Sequence, residues 1–244
     1  MVLLRFSSTQ ALSSYLFHPR QLMQIVANSR ESELPWKRLV SPVMRKASRE
    51  QRRGKAKGKV SSITPIYDTP DSMPAILPKM IVFDLDNTLW TPELYQIRQK
   101  TMPKAGKDIW MFDGAQQIVI ELATNPSWDV VKLAIASRTD KGDWAEALLR
   151  KFRASAGKSL ADLFPHREIV VGSKRRHFEN LRKLDVQFSE MVFFDDDAYM
   201  NLAEVSQLGV LCCHCPKGMS VDLFTGALAR YSELKQTENS WMGE

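Results

Sequence analysis

Asp84 and Asp86 stand two residues apart where the apolar run Ile81-Val82-Phe83 ends, and Thr88 follows at the same interval. Alternate side chains of an extended chain share a face, so both carboxylates are predicted to project to the same side of a strand end. Held close, two ionised carboxylates repel. A hard divalent cation with oxygen ligands, Mg²⁺ above all, relieves that repulsion, and such a site draws phosphate chemistry.

Three further signals follow in order. Val130-Val131-Lys132-Leu133-Ala134-Ile135-Ala136 is a second apolar run, closed by the hydroxyl of Ser137 and followed by Arg138 and Thr139. Arg167-Glu168-Ile169-Val170-Val171 leads through Gly172-Ser173 to Lys174, a fixed cation at the start of a charged helical stretch. Met191-Val192-Phe193-Phe194 then delivers Asp195, Asp196 and Asp197 in succession. So much negative charge at a strand end needs a metal ion or several donors to stay folded.

The order strand-Asp-x-Asp-x-Thr, strand-Ser, Lys, strand-Asp-Asp resembles the four-motif signature of the haloacid dehalogenase-type phosphotransferases. Longer matches are narrower. Phe83-Asp84-Leu85-Asp86 through Thr88-Leu89-Trp90, Ala136-Ser137-Arg138-Thr139, Arg167-Glu168-Ile169, Gly172-Ser173-Lys174, His177-Phe178-Glu179, Phe193-Phe194-Asp195-Asp196 and Gly218-Met219-Ser220 resemble the eukaryotic magnesium-dependent phosphatase-1 family. That likeness runs from about Lys79 to Arg230 and leaves residues 1 to about 75 outside it.

The resemblance implies roles. Asp84 would be the nucleophile that becomes an aspartyl-phosphate, a known use of carboxylates. Asp86 would serve as general acid and then as general base. Mg²⁺ would be held by the Asp84 carboxylate, the Asp86 carbonyl and Asp196, with Asp195 as a ligand through water or an orienting neighbour. Lys174 and Ser137 would bind the phosphoryl oxygens, Arg138 would contact substrate, and Asp197 reads as a helix cap. Implied substrates are sugar phosphates, including phosphorylated glycation adducts, and phosphotyrosine. Two departures stand out: Asn87 takes a position usually aromatic in the family, and the interval from Asp196 to Asn201 is one residue longer than the family pattern.

A thiol mechanism fits poorly. All three cysteines lie in Cys212-Cys213-His214-Cys215, and the position six residues after Cys215, where a thiol phosphatase needs Arg, is Val221. These cysteines read as part of an apolar strand in a reducing compartment. His166 and His177 read as packing or solvated residues.

Around these motifs, strands expected near Met80–Phe83, Val130–Ala136, Ile169–Val171, Met191–Phe194 and Val210–Cys213 alternate with helices expected over Ala115–Ala123, Asp143–Phe152, Arg175–Leu184, Met200–Leu208 and Val221–Leu234. Such alternation predicts an α/β Rossmann-like three-layer sandwich with a parallel sheet and the motifs at its carboxyl edge. Thr88 to Gly114 reads as a flap or hairpin beside the site, and the interval from Ser137 to Lys174 is too short for a separate cap domain. The expected organisation is a leader over residues 1–75, a catalytic domain over 76–234 and a polar tail over 235–244.

Charge is uneven. Residues 1–66 carry 13 Lys/Arg against 3 Asp/Glu, whereas residues 67–244 carry 21 against 25, so the net +6 resides in the leader. The first thirty residues hold no acid, three Arg and five Ser, the composition of an organellar transit peptide, which favours mitochondrion or plastid over cytoplasm. Arg45 to Lys59 reads as a basic, disordered linker. No apolar run reaches the ~18 residues of a membrane span. A Mg²⁺-dependent phosphomonoesterase acting on a small phosphate ester or a phosphoprotein is the leading expectation; a nucleic-acid-binding protein working through the basic leader and a catalytically silent interaction domain are the alternatives.

Overall fold

The computed structural model describes residues 65–241 together with the short strand Leu16–Phe17. The basic linker, and the leader apart from that strand, lie outside the described residues. Strand β1 (Leu16–Phe17) pairs antiparallel with β8 (Leu211–His214). The rest of the main sheet is parallel: β2 (Met80–Phe83) is flanked by β5 (Lys132–Ser137) and β7 (Met191–Asp195), with β6 (His166–Ile169) beyond β5 and β8 beyond β7. Two-residue strands β3 (Trp90–Thr91) and β4 (Trp110–Met111) pair antiparallel and form the expected flap hairpin.

The alternation in β2 explains the layering. Ile81 and Phe83 face the larger core, built against helices α1 (Asp113–Thr124), α2 (Gly142–Lys151) and α6 (Val221–Trp241). Met80 and Val82 face a second core closed by α4 (Lys174–Arg182) and α5 (Ala203–Ser206). A strand covered on both faces is apolar throughout, which is why Met80–Phe83 shows no polar alternation. Between α2 and α4 lie only the short helix α3 (Leu160–Leu163) and β6, so no cap domain is inserted there.

Each helix buries one stripe. In α1, Ala115, Ile118, Val119 and Leu122 recur at helical spacing, and in α6 Phe224, Ala227, Leu228 and Tyr231 do the same. Beneath the carboxyl edge, Phe83 stacks on Phe194 at 5.2 Å between centroids and meets Phe164 edge-on at 5.7 Å. This aromatic floor fixes the two strand ends that carry Asp84 and Asp195.

Three elements differ from expectation. Strand β6 begins three residues earlier than the apolar run suggests, and Val170 and Val171 are 52% and 70% exposed beyond it. The helix expected from Met200 opens as a π-helical turn over Ala198–Leu202, which takes up an extra residue in the chain. Helix α6 continues to Trp241, past its expected end at Leu234. At the other end, residues 65–79 are strapped to the body: Glu121 accepts from Ile66 N at 3.0 Å while also holding Asn125 and Trp128, and Ser232 accepts from Ile76 N at 3.1 Å.

Candidate active site

The parallel register brings the acidic residues together. Phe83 pairs with Phe194, and the Asp84 N–H donates to Phe194 O at 2.9 Å, so Asp84 and Asp195 leave adjacent strands side by side. Ser173 caps α4 by accepting from Arg176 N, which places Lys174 at the first turn, pointed under both carboxylates. Its Nζ donates to Asp84 Oδ1 at 2.6 Å, to Ala136 O at 2.5 Å and to Asp195 Oδ2 at 3.0 Å. The ring of Phe193 closes beneath the ammonium at 5.2 Å. Lys174 has no exposed surface; burial alone would pull its pKa down, but Asp195 and Asp84 more than offset this and raise it.

Asp195 is saturated. Asn201 Nδ2 donates to both of its oxygens at 3.0 and 3.1 Å, and the Asp197 N–H donates to Oδ1 at 2.8 Å. This leaves Asp195 as an orienting counter-charge for Lys174. Asn201 in turn accepts from Arg138 Nη1 at 3.2 Å, holding that exposed guanidinium at the end of β5. Asp197 caps the π-turn, accepting from Tyr199 N and Met200 N at 3.0 Å each. Ser137 is buried at the end of β5, on the same edge as Asp84.

Asp86 faces the flap: Trp90 Nε1 donates to Oδ1 at 2.7 Å and Leu94 N to Oδ2 at 3.1 Å. Burial raises its pKa against these two bonds, and burial likewise pushes Asp84 well up against the pull of Lys174. Asp196 is pushed up to about 7, first by burial and then by Asp195, with the polar Asn87 side chain opposing. Thr88 is fully buried; its carbonyl accepts from Met219 N at 3.0 Å, while its hydroxyl has no hydrogen-bond partner.

Several partners were not visible in the sequence. His177, read as a packing or solvated residue, is buried and lies 3.1 Å from Val170 O through Nε2, and His214 Nε2 reaches Asp196 O at 2.9 Å. Both contacts are to backbone carbonyls, which leave no mark on residue type. Gly218, in the Gly218-Met219-Ser220 motif, has φ +78° and packs where a Cβ would overlap the Phe112 ring. Gly114 is as constrained, since a Cβ there would come within 2.5 Å of Met219 O. These glycines let the start of α1 close against the segment that supports Thr88.

Acidic charge exceeds basic charge in this cluster. Asp84, Asp86, Asp195 and Asp196 converge on one sheet edge, Lys174 is the buried cation among them, and it pairs with Asp84 and Asp195 only. Asp196 is half-buried, and burial and the neighbouring Asp195 raise its carboxyl to about 7. A divalent cation fits that deficit. Among the described residues no three His, Cys, Asp or Glu side chains are grouped so as to hold a metal ion by themselves; carboxylate oxygens are the donors of Mg²⁺, which binds through one or two carboxylates and keeps several waters.

An open α/β sheet that gathers carboxylates and one ammonium at its carboxyl edge defines a hydrolase of the haloacid dehalogenase-like class. The sequence model of the acid phosphatase family matches residues 76–234, and the chain belongs to that family. It is 35% identical over 169 residues to human magnesium-dependent phosphatase 1, covering 65% of this chain and 90% of the relative. A HAD-like hydrolase superfamily protein of Schizosaccharomyces pombe is 31% identical over 150 residues, covering 54% of this chain and 83% of the relative. Among solved structures, the N-terminal part of a Bacteroides fragilis protein containing a phosphatase domain, complexed with Mg, aligns at TM-score 0.42 and 18% identity, covering 64% of this chain and 39% of that one. A haloacid dehalogenase-like hydrolase from Xanthomonas campestris aligns at TM-score 0.46 and 12% identity, covering 65% of this chain and 97% of that one.

Proposed function

We propose that the protein is a Mg²⁺-dependent phosphomonoesterase that works through an aspartyl-phosphate on Asp84. The observation that carries this reading is the Asp84 carboxylate at a strand tip with the buried Lys174 ammonium at 2.6 Å and Asp86 two residues on. An Asp84 oxygen attacks phosphorus, the ester P–O bond breaks, and Asp86 gives its proton to the departing oxygen. Asp86, now ionised, takes a proton from water as the water oxygen attacks phosphorus, and the Asp84–phosphorus bond breaks to release phosphate. Ser137 donates to the equatorial oxygens, while Lys174, its three donors engaged by Asp84, Ala136 O and Asp195, offsets the negative charge through its field, with most of the barrier lowered by alignment and fixed charge. Arg138 receives a more distant part of the substrate.

Asp84, the Asp86 carbonyl and Asp196 would hold Mg²⁺. When bound, the ion neutralises charge on the phosphoryl oxygens. Mg²⁺ is expected to raise the melting temperature of the full chain, with about 2.7 kcal/mol of stabilisation at a hundredfold excess over the dissociation constant. A melting curve indifferent to saturating Mg²⁺ would contradict the metal assignment.

Sugar phosphates and phosphotyrosine are the substrate classes of this reading, the second requiring a protein tyrosine phosphatase activity. The absence of a cap insertion between Ser137 and Lys174 supports access for a phosphoprotein side chain as well as a small ester. No helix among the described residues is long and apolar enough to cross a membrane. The acid-free first thirty residues support a mitochondrial or plastid address. A fluorescent protein fused after the leader is expected to enter the organelle, and diffuse cytoplasmic signal would reject that address.

A further inference from the structure

We propose that the flap is a recognition surface for acidic peptide, so that the substrates it favours are phosphoproteins with Asp or Glu flanking the phosphorylated side chain. The inference rests on the phosphatase reading and narrows its substrate class. Residues 98–107 carry Arg98, Lys100, Lys104 and Lys107 and no acid. Take these four from the 21 Lys/Arg of residues 67–244, and 17 remain against 25 Asp/Glu. The flap is therefore a basic island on an acidic domain. All four cations are exposed, and none of them enters the domain's salt bridges.

The fold fixes where this charge lies. Strands β3 and β4 are the two legs of the flap, with Thr91 opposite Trp110. The first leg is tied to the site, since Trp90 Nε1 and Leu94 N both donate to Asp86. Leu94, Pro103 and Ile109 are buried, so the flap is anchored along its length and the charged side chains between these points are left to solvent. Its tip is a tight turn: Lys104 O accepts from Lys107 N at 3.1 Å and from Asp108 N at 2.9 Å, and Gly106 supplies φ +72°. Asp108, the acid that ends this turn, accepts from Lys104 N at 2.8 Å and so serves the backbone. Four cations on an anchored arch beside an uncapped phosphate site complement acidic side chains on either side of a phosphorylated residue. Nucleic acid fits less well, because its charge repeats along its whole length and would meet an acidic domain beyond the flap.

Hydrolysis of two matched phosphotyrosine peptides by the full chain, one flanked by glutamates and one by glutamines, tests the assignment. At low salt kcat/KM for the glutamate peptide is expected to be about tenfold higher, the lower end of what electrostatic steering gives. Added salt should erase that advantage by screening the flap. Lys100→Glu combined with Lys104→Glu should abolish the preference or turn it toward a lysine-flanked peptide, while p-nitrophenyl phosphate, which has no flank to read, is hydrolysed at the parental rate. Should this charge reversal impair folding, the neutral pair Arg98→Gln with Lys107→Gln carries the same test. Equal kcat/KM for the two peptides, no turnover of either beside active hydrolysis of p-nitrophenyl phosphate, or a preference unchanged in the variants overturns the inference and leaves the phosphatase reading intact. So does a variant whose p-nitrophenyl phosphate rate falls as far as its peptide rate. Inhibition by a single-stranded oligonucleotide that is tighter than inhibition by the unphosphorylated glutamate peptide, and that disappears in the variants, assigns the flap to nucleic acid and overturns the inference as well. A parent protein that hydrolyses neither the peptides nor p-nitrophenyl phosphate overturns the phosphatase reading and this inference together.

Discussion

Asp84→Asn is expected to abolish hydrolysis of p-nitrophenyl phosphate, with a loss of about 10⁴-fold or more, since removing a nucleophile takes away the reaction path and not one contribution to it. The fold should survive. The amide oxygen can still accept from Lys174, Ala136 O stays in place, and Asp195 keeps the ammonium paired. Circular dichroism and a melting curve close to the parent's, beside the lost rate, would separate chemistry from collapse. Activity retained at the parental level in purified Asp84→Asn would show that phosphorus is attacked by some other group.

Lys174→Met should have the largest effect on stability. The change removes a buried cation whose partners, Asp84 and Asp195, are themselves 6% and 0% exposed, and strands their charges in the interior. Breaking a buried ion pair from one side costs about 3–5 kcal/mol, or about 10 °C in melting temperature for a domain of this size. Activity should vanish as well. Lys174→Arg is not expected to rescue either property, because a planar guanidinium cannot fill a site shaped for three donors around one nitrogen. A melting temperature within a degree or two of the parent would mean that the two carboxylates are protonated and carry no charge for Lys174 to balance.

The acidic strand tips were legible in the sequence because the strands that carry them are buried on both faces. A continuous apolar run that ends abruptly in acid, as at Asp84 and at Asp195-Asp196, marks a buried strand emerging at the edge of its sheet, and the order of these runs along the chain resembles one signature. Strand β6 departs from its expected position for the opposite reason. His166-Arg167-Glu168 is a half-exposed edge strand, with Arg167 bonded to Glu146 and to the carbonyls of Ala161 and Phe164, so polar residues pair in the sheet while the apolar Val170 and Val171 lie outside it. Hydrophobic patterning reads burial, and here burial and pairing part company.

The side-chain partners inside the site were less legible. That Asp195 would be saturated by Lys174, Asn201 and a backbone N–H, leaving Asp196 beside Asn87, depends on how the π-turn re-aims Asn201. The extra residue between Asp196 and Asn201 was visible, but its consequence was not. Likewise the attachment of Asp86 to Trp90 and Leu94 arises from the fold of the flap, where clean periodicity is lacking. Residue type announced the carboxylates; geometry assigned each one its neighbours.

The most direct test of the central claim uses Asp86→Asn in the full chain with p-nitrophenyl phosphate and Mg²⁺. Nitrophenolate leaves without needing a proton, so Asp84 can still be phosphorylated, whereas the water that should release it has lost its general base. One equivalent of nitrophenolate should appear in a burst, after which turnover stalls, and mass spectrometry of the acid-quenched protein should place a single phosphoryl group on Asp84. A phosphoryl group found on another residue, or none at all while turnover continues, would contradict the account.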